Sequence, residues 1–117
     1  MPARQDISLD AGRDYEIAVV LTEADLTTRL NLLDCVLSWA AIEAPGQVPL
    51  ISKTSLVVGE ITVTSIGEGE ATIHVVQADT DLLGGVTVEH EMMVTDATGN
   101  EATVFAGLLT IRQSVLH

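Results

Sequence analysis

The chain has 117 residues, 47% of them hydrophobic, a mean hydropathy of +0.38, and a net charge of −12 from 5 Lys+Arg against 17 Asp+Glu. So acidic a balance argues against gripping a nucleic-acid backbone, which calls for basic side chains, and no apolar run approaches the roughly 20 residues of a membrane span. A single cysteine, Cys35, excludes an internal disulfide framework and a cysteine-based zinc site.

This length suits one domain able to bury about two thirds of its unfolded surface. Residues 1–6 read as a flexible N-terminal arm and 7–115 as one β-sandwich domain. The opening, MPARQDISLD, lacks the apolar core of a signal peptide. A brief strand over Ile7 to Leu9 and a turn at Asp10-Ala11-Gly12-Arg13 lead into a half-buried strand. There Tyr15, Ile17, Val19 and Leu21 alternate with Glu16, Ala18, Val20 and Thr22.

The segment Thr22 to Ala44 supports two readings. Leu26, Leu30, Leu33 and Leu37 fall at helical spacing, and Thr22 with Asp25 resembles a capping box. Against this, Asn31 and Asp34 suit a turn, and Cys35 to Ile42 suits a buried strand centred on Trp39, so loop then strand is favoured. Cys35 is expected to be a small buried hydrophobe.

Beyond the break at Ala44-Pro45-Gly46, Pro49 to Ser52 reads as an edge segment. Ile61 to Thr64 is a strand, Gly67 to Glu70 a turn, and Ala71, Ile73 and Val75 the inner side of the next strand. Gln77 to Leu83 reads as one helical turn crossing between sheets, with Asp79-Thr80-Asp81 as its cap.

The clearest signal is Val86 to Arg112, two β-rich runs around Asp96-Ala97-Thr98-Gly99-Asn100, which is a hairpin. Alternation puts Val88, His90, Met92 and Val94 on one side, and Glu89, Glu91 and Met93 on the other. The two carboxylates belong outside, since burying them unpaired is costly. A register pairing Met93 near Val104 then places Ala106 and Leu108 outside too. Met93, Val104, Ala106 and Leu108 are accordingly predicted to form a contact surface with another subunit or a partner protein. The whole predicts an all-β, antiparallel sandwich of about seven strands, with one short helical turn.

No nucleophile elbow, P-loop, dinucleotide fingerprint or zinc pattern is present, so no catalytic residue, cofactor or metal is assigned. His90 points away from Glu89 and Glu91, and two carboxylates alone are too few oxygens for a hard cation. His74 and His117 show no partner at ligand spacing. With one Trp, one Tyr and one Phe, a sugar-stacking or base-stacking platform has little to be built from.

Several pieces resemble a family of small immunoglobulin-like β-sandwich domains of tailed bacteriophages, similar to the N-terminal part of baseplate upper proteins. They are Leu33 to Trp39, Ile61 to Thr64, Asp79 to Gly85, His90 through Asn100 and Gly107 to Arg112. The resemblance covers roughly Asp6 to Val115. It implies an immunoglobulin-like fold and a non-enzymatic structural role in a phage virion, as a capsid-decorating or small tail or baseplate protein. The partners so implied are other virion proteins and a homo-oligomer, with no nucleic acid and no membrane. The place implied is the virion, after synthesis in the host cytoplasm. A carbohydrate-binding or host-adhesion sandwich is the alternative.

Overall fold

Residues 3–23, 28–44 and 46–113 are described by the computed structural model. Its strands are β1 (Ala3–Arg4), β2 (Ile7–Asp10), β3 (Tyr15–Val20), β4 (Val36–Ile42), β5 (Ile51–Thr54), β6 (Ile61–Ser65), β7 (Glu70–Val75), β8 (Val86–Thr95) and β9 (Glu101–Arg112). One helical turn, α1 (Gln77–Thr80), joins β7 to β8.

Two sheets result. The larger runs β9-β8-β4-β5, with β1 and β2 both lying along the free edge of β9; the smaller runs β3-β7-β6. In immunoglobulin sandwiches strands B, E and D face C, F and G, with a further strand beyond C in the variable type. Reading β3, β7 and β6 against β4, β8 and β9, with β5 beyond β4, reproduces that order. The fold is an all-β, immunoglobulin-like sandwich. It is not wholly antiparallel, because β1 and β2 pair with β9 in parallel.

Alternation explains which side of each strand is buried. On β8 the inward set is Val88, His90, Met92 and Val94; on β7 it is Ala71, Ile73 and Val75. Leu37, Trp39 and Ala41 of β4 are fully enclosed, with Phe105, Leu109 and Ile111 of β9 beside them. Each of the large apolar side chains among them contributes about 1.5–3 kcal/mol on withdrawal from water, which makes this layer the main source of stability. Trp39 is central, as expected. The chain has one cysteine, so apolar packing does the work of the disulfide that ties the two sheets together in antibody domains.

Four expectations need correction. The proposed arm is ordered in part: Ala3–Arg4 pairs with Phe105–Ala106, and Gln5 N donates to the Ala106 carbonyl at 2.9 Å. Cys35 is only half-buried, with its thiol directed at the carbonyls of Leu33 and Asn31 at 3.6 and 3.8 Å. The third concerns the cap of α1. Val76 occupies that position, and Asp79 reaches back from within the turn to accept from Val76 N at 2.8 Å. Thr80 is buried and accepts from Gly12 N at 3.0 Å. The fourth, the hairpin register, is taken up below. Between β3 and β4 the described residues contain no helix, and Thr22 meets Arg29 in an isolated bridge, as the loop reading requires. Leu26, Pro45 and His117 lie outside the described residues.

Candidate docking face

Side chains on the outer face of the larger sheet line up in rows across its strands. One row is Ile42, Glu89 and Leu108; the next is Ser52, Ala40, Glu91 and Ala106; the third is Thr54, Ser38, Met93 and Thr103. The middle row is nearly flat, since serine and alanine project little. Leu108 is 40% exposed, Met93 and Ala106 are half-buried, and Glu89 is exposed. Three of the four residues expected at a contact surface therefore share this face.

Val104 does not. Met92 pairs with Phe105 but Met93 pairs with Thr103, so a β-bulge leaves Val104 as the extra residue on β9. Two consecutive residues, Val104 and Phe105, are thereby buried, and Val104 joins the core at 7% exposure. The expected Met93–Val104 pairing fails because a bulge shifts the alternation by one, moving every residue before it to the other side. Nothing in the run Glu101 to Phe105 marks that shift locally.

The hairpin tip is held by Asp96, whose Oδ1 accepts from Thr98 N (2.9 Å), Thr98 Oγ1 (2.7 Å) and Asn100 N (3.0 Å). Gly99 completes the turn at φ +90°, a backbone state costly for other residues. The Thr98 side chain, and then the Asn100 and Thr98 amides, keep the Asp96 carboxyl below its ordinary value of 3.8. These bonds account for the loop without an ion. Among the described residues no group of three or more His, Cys, Asp or Glu gathers as a metal site, and no helix is long and apolar enough to cross a membrane.

Sequence reasoning missed the polar connections made across the fold. Lys53 on β5 points inward, 8% exposed, and its Nζ lies 2.7 Å from Asp79 Oδ2 on α1. His90 is 2% exposed; Trp39 Nε1 donates to its Nδ1 at 3.1 Å, and its Nε2 lies 2.6 Å from the Gln5 carbonyl oxygen. His74 meets Thr62 Oγ1 at 3.0 Å and Glu16 at 3.6 Å. The strongest apolar exposures were missed as well: Val58, Leu82 and Val48 stand in loops at 101%, 94% and 85% exposure. Hydrophobicity read along the chain does not separate such tips from strands.

No family model matches the chain, and no curated protein matches it. Among solved structures it is similar to the extracellular domain of the voltage-gated sodium channel β4 subunit, whose parallel homodimers are described as explaining its role in cell–cell adhesion. That likeness is at 12% identity over 98% of this chain and 96% of the other, with a TM-score of 0.47. A second similar structure comes from work on the multimeric cell-adhesive interactions of such β subunits. It is 12% identical over 95% of this chain and 92% of the other, with a TM-score of 0.48. The expected role as a phage virion component is corrected at this point. The solved structures it is similar to are described in terms of cell adhesion, not of a virion.

Proposed function

We propose that the chain is a non-enzymatic, adhesion-type binding module that docks a second copy of itself through the outer face of the β9-β8-β4-β5 sheet. The observation that carries this is the row structure of that face. Ala40, Ala106, Met93 and Leu108 stand where a solvated sheet would carry Thr, Lys or Glu, and they flank Glu89 and Glu91. A flat, weakly polar centre with a charged margin suits protein docking.

Glycan binding is disfavoured by the burial of the aromatic rings. Trp39 and Phe105 are enclosed, and half-buried Tyr15 uses its hydroxyl to accept from Asp10 N at 2.8 Å. Two enclosed rings and one half-buried ring leave little from which to build a sugar-stacking platform.

Light scattering across protein concentration and salt tests the proposal. Copies carrying −12 each repel over about 8–10 Å at physiological ionic strength, so association should strengthen on going from low to moderate salt. Leu108→Asp should weaken it while the protein stays folded. Association untouched by Leu108→Asp would place the contact elsewhere, and specific retention of a glycan on an array would favour the sugar-binding alternative.

A further inference from the structure

His90 is the centre of a buried polar chain that docking does not use. Trp39 Nε1 donates to His90 Nδ1 at 3.1 Å, and His90 Nε2 lies 2.6 Å from the Gln5 carbonyl oxygen. An indole N–H only donates, and a peptide carbonyl only accepts. Nδ1 therefore carries the lone pair, Nε2 carries the proton, and the ring is neutral. A second proton has one place to go, Nδ1, where it would meet the Trp39 N–H head on.

Gln5 is the break between β1 and β2, the terminal edge that lies on β9. Gly107 makes the break possible. It sits opposite His90 in the β8–β9 pairing, and a Cβ there would stand within 2.7 Å of the Gln5 carbonyl carbon and 2.8 Å of Asp6 Oδ1. In the space left by the missing side chain the Gln5 carbonyl dips in to reach the imidazole. Around it Asp6 Oδ1 accepts from Leu108 N at 2.9 Å and pairs with Arg4 at 3.3 Å, and both of these contacts are exposed. Among these contacts, His90 is the one group that reaches the break from the core.

We propose that His90 is an acid-sensitive latch on the terminal β1–β2 strand: the neutral ring ties Gln5 to Trp39, and protonation drives the ring outward past the Gln5–Asp6 break and frees the strand from β9. Burial holds the imidazole below its ordinary value of 6.5, opposed by the Gln5 hydrogen bond and the Asp6 charge. Asp6 is the carboxylate toward which an imidazolium would move, and Arg4, its partner, lies on the same strand. Glu89 and Glu91 face the other side of the sheet, and Trp39 and Phe105, which pack on the ring, are uncharged. Loss of the strand would leave the N–H and C=O groups of the β9 edge unpaired, a template for a new strand. The inference stands independently of the docking face.

The test is an NMR titration of the isotope-labelled full chain from about pH 7.5 to about pH 4.5, the range in which histidine changes charge. The chain has one tryptophan, so the indole N–H gives a single reporter resonance. Expected are a His90 ring titration with its midpoint below 6.5, and a shift of the indole resonance in the same transition. Amide-exchange protection of Gln5 to Asp10, corrected for intrinsic rates, should fall roughly tenfold per pH unit over that step, while β3 and β7 keep theirs. His90→Gln offers an acceptor to Trp39 and a donor to Gln5 but does not titrate, so its strand protection should be flat with pH. If that variant does not fold, the shared midpoint of the three wild-type signals decides. An indole resonance or strand protection indifferent to the His90 titration would overturn the latch. So would a pH step persisting in His90→Gln, or simultaneous loss of all protection.

Discussion

Gly107 lies directly opposite His90 on the inner side of the β8–β9 hairpin, and the space a side chain would take at 107 is filled by the Gln5 carbonyl and the Asp6 carboxylate. Gly107→Ala sets a methyl group against a carbonyl and a carboxylate that are themselves hydrogen-bonded. Relief requires β1–β2 to lift from β9. The expected cost is about 1–3 kcal/mol, the usual range for overpacking, read from the denaturation midpoint. Proteolytic clipping before β3 should rise in the same variant. An unchanged midpoint would mean that the terminal strand adds no stability.

Acid should destabilise the protein in two separate windows. His90 has its folded pKa lowered from 6.5, so the unfolded chain takes up a proton where the folded one does not. Stability is then complete above about 6.5 and declines as pH falls from there toward the folded value, below which that loss stops. Asp96 has its value lowered from 3.8, so its contribution is present above that value and is lost as pH falls through the folded one. Melting temperature measured against pH should show both slopes. His90→Gln should remove the upper one alone, and Asp96→Asn the lower.

Much of this architecture was legible because alternation is a local signal. Val88, His90, Met92 and Val94 announce their inward side without knowledge of any partner, and Asp96 to Gly99 announce the turn. What stayed hidden depends on residues distant in sequence. Arg4 to Asp6 look like a polar tail until Gly107 supplies the space for them. His90 looks idle until Trp39 and Gln5 are placed against it. Val104 looks outward-facing because a bulge is invisible in a run of β-favouring residues. The role was less legible still, since an immunoglobulin-like sandwich hosts many activities and Leu108 alone does not say what covers it.

Lys53 and Asp79 make a largely buried ion pair between β5 and α1, with side-chain exposures of 8% and 22%. Asp79 also holds the start of α1 through Val76 N. Asp79→Ala leaves an ammonium group buried without its carboxylate and should cost about 3–5 kcal/mol. Lys53→Met removes the charge that needed a partner, keeps most of the side-chain volume, and leaves Asp79 free to cap α1. That variant should lose far less stability than Asp79→Ala, because a well-packed apolar replacement removes the desolvation penalty as well as the attraction. Urea denaturation of both variants orders them. Equal losses would mean that the pair itself, not the stranded charge, stabilises this corner.

Three aspartate substitutions on β9 separate face from core. Leu108 is 40% exposed, Leu109 is fully buried, and Val104 is 7% exposed because of the bulge. Leu108→Asp should therefore leave the melting temperature within a few degrees of wild type, since exposed substitutions change stability by about 0.5 kcal/mol or less. Leu109→Asp should abolish the folded state at ordinary temperatures, because an unpaired charge would have to enter the core. Val104→Asp reads the consequence of the bulge directly. By simple alternation it would share the outer face with Ala106 and Leu108 and be tolerated; with the bulge it should unfold the domain as Leu109→Asp does. A Val104→Asp protein that melts like wild type would restore the unbulged register and return Val104 to the docking face.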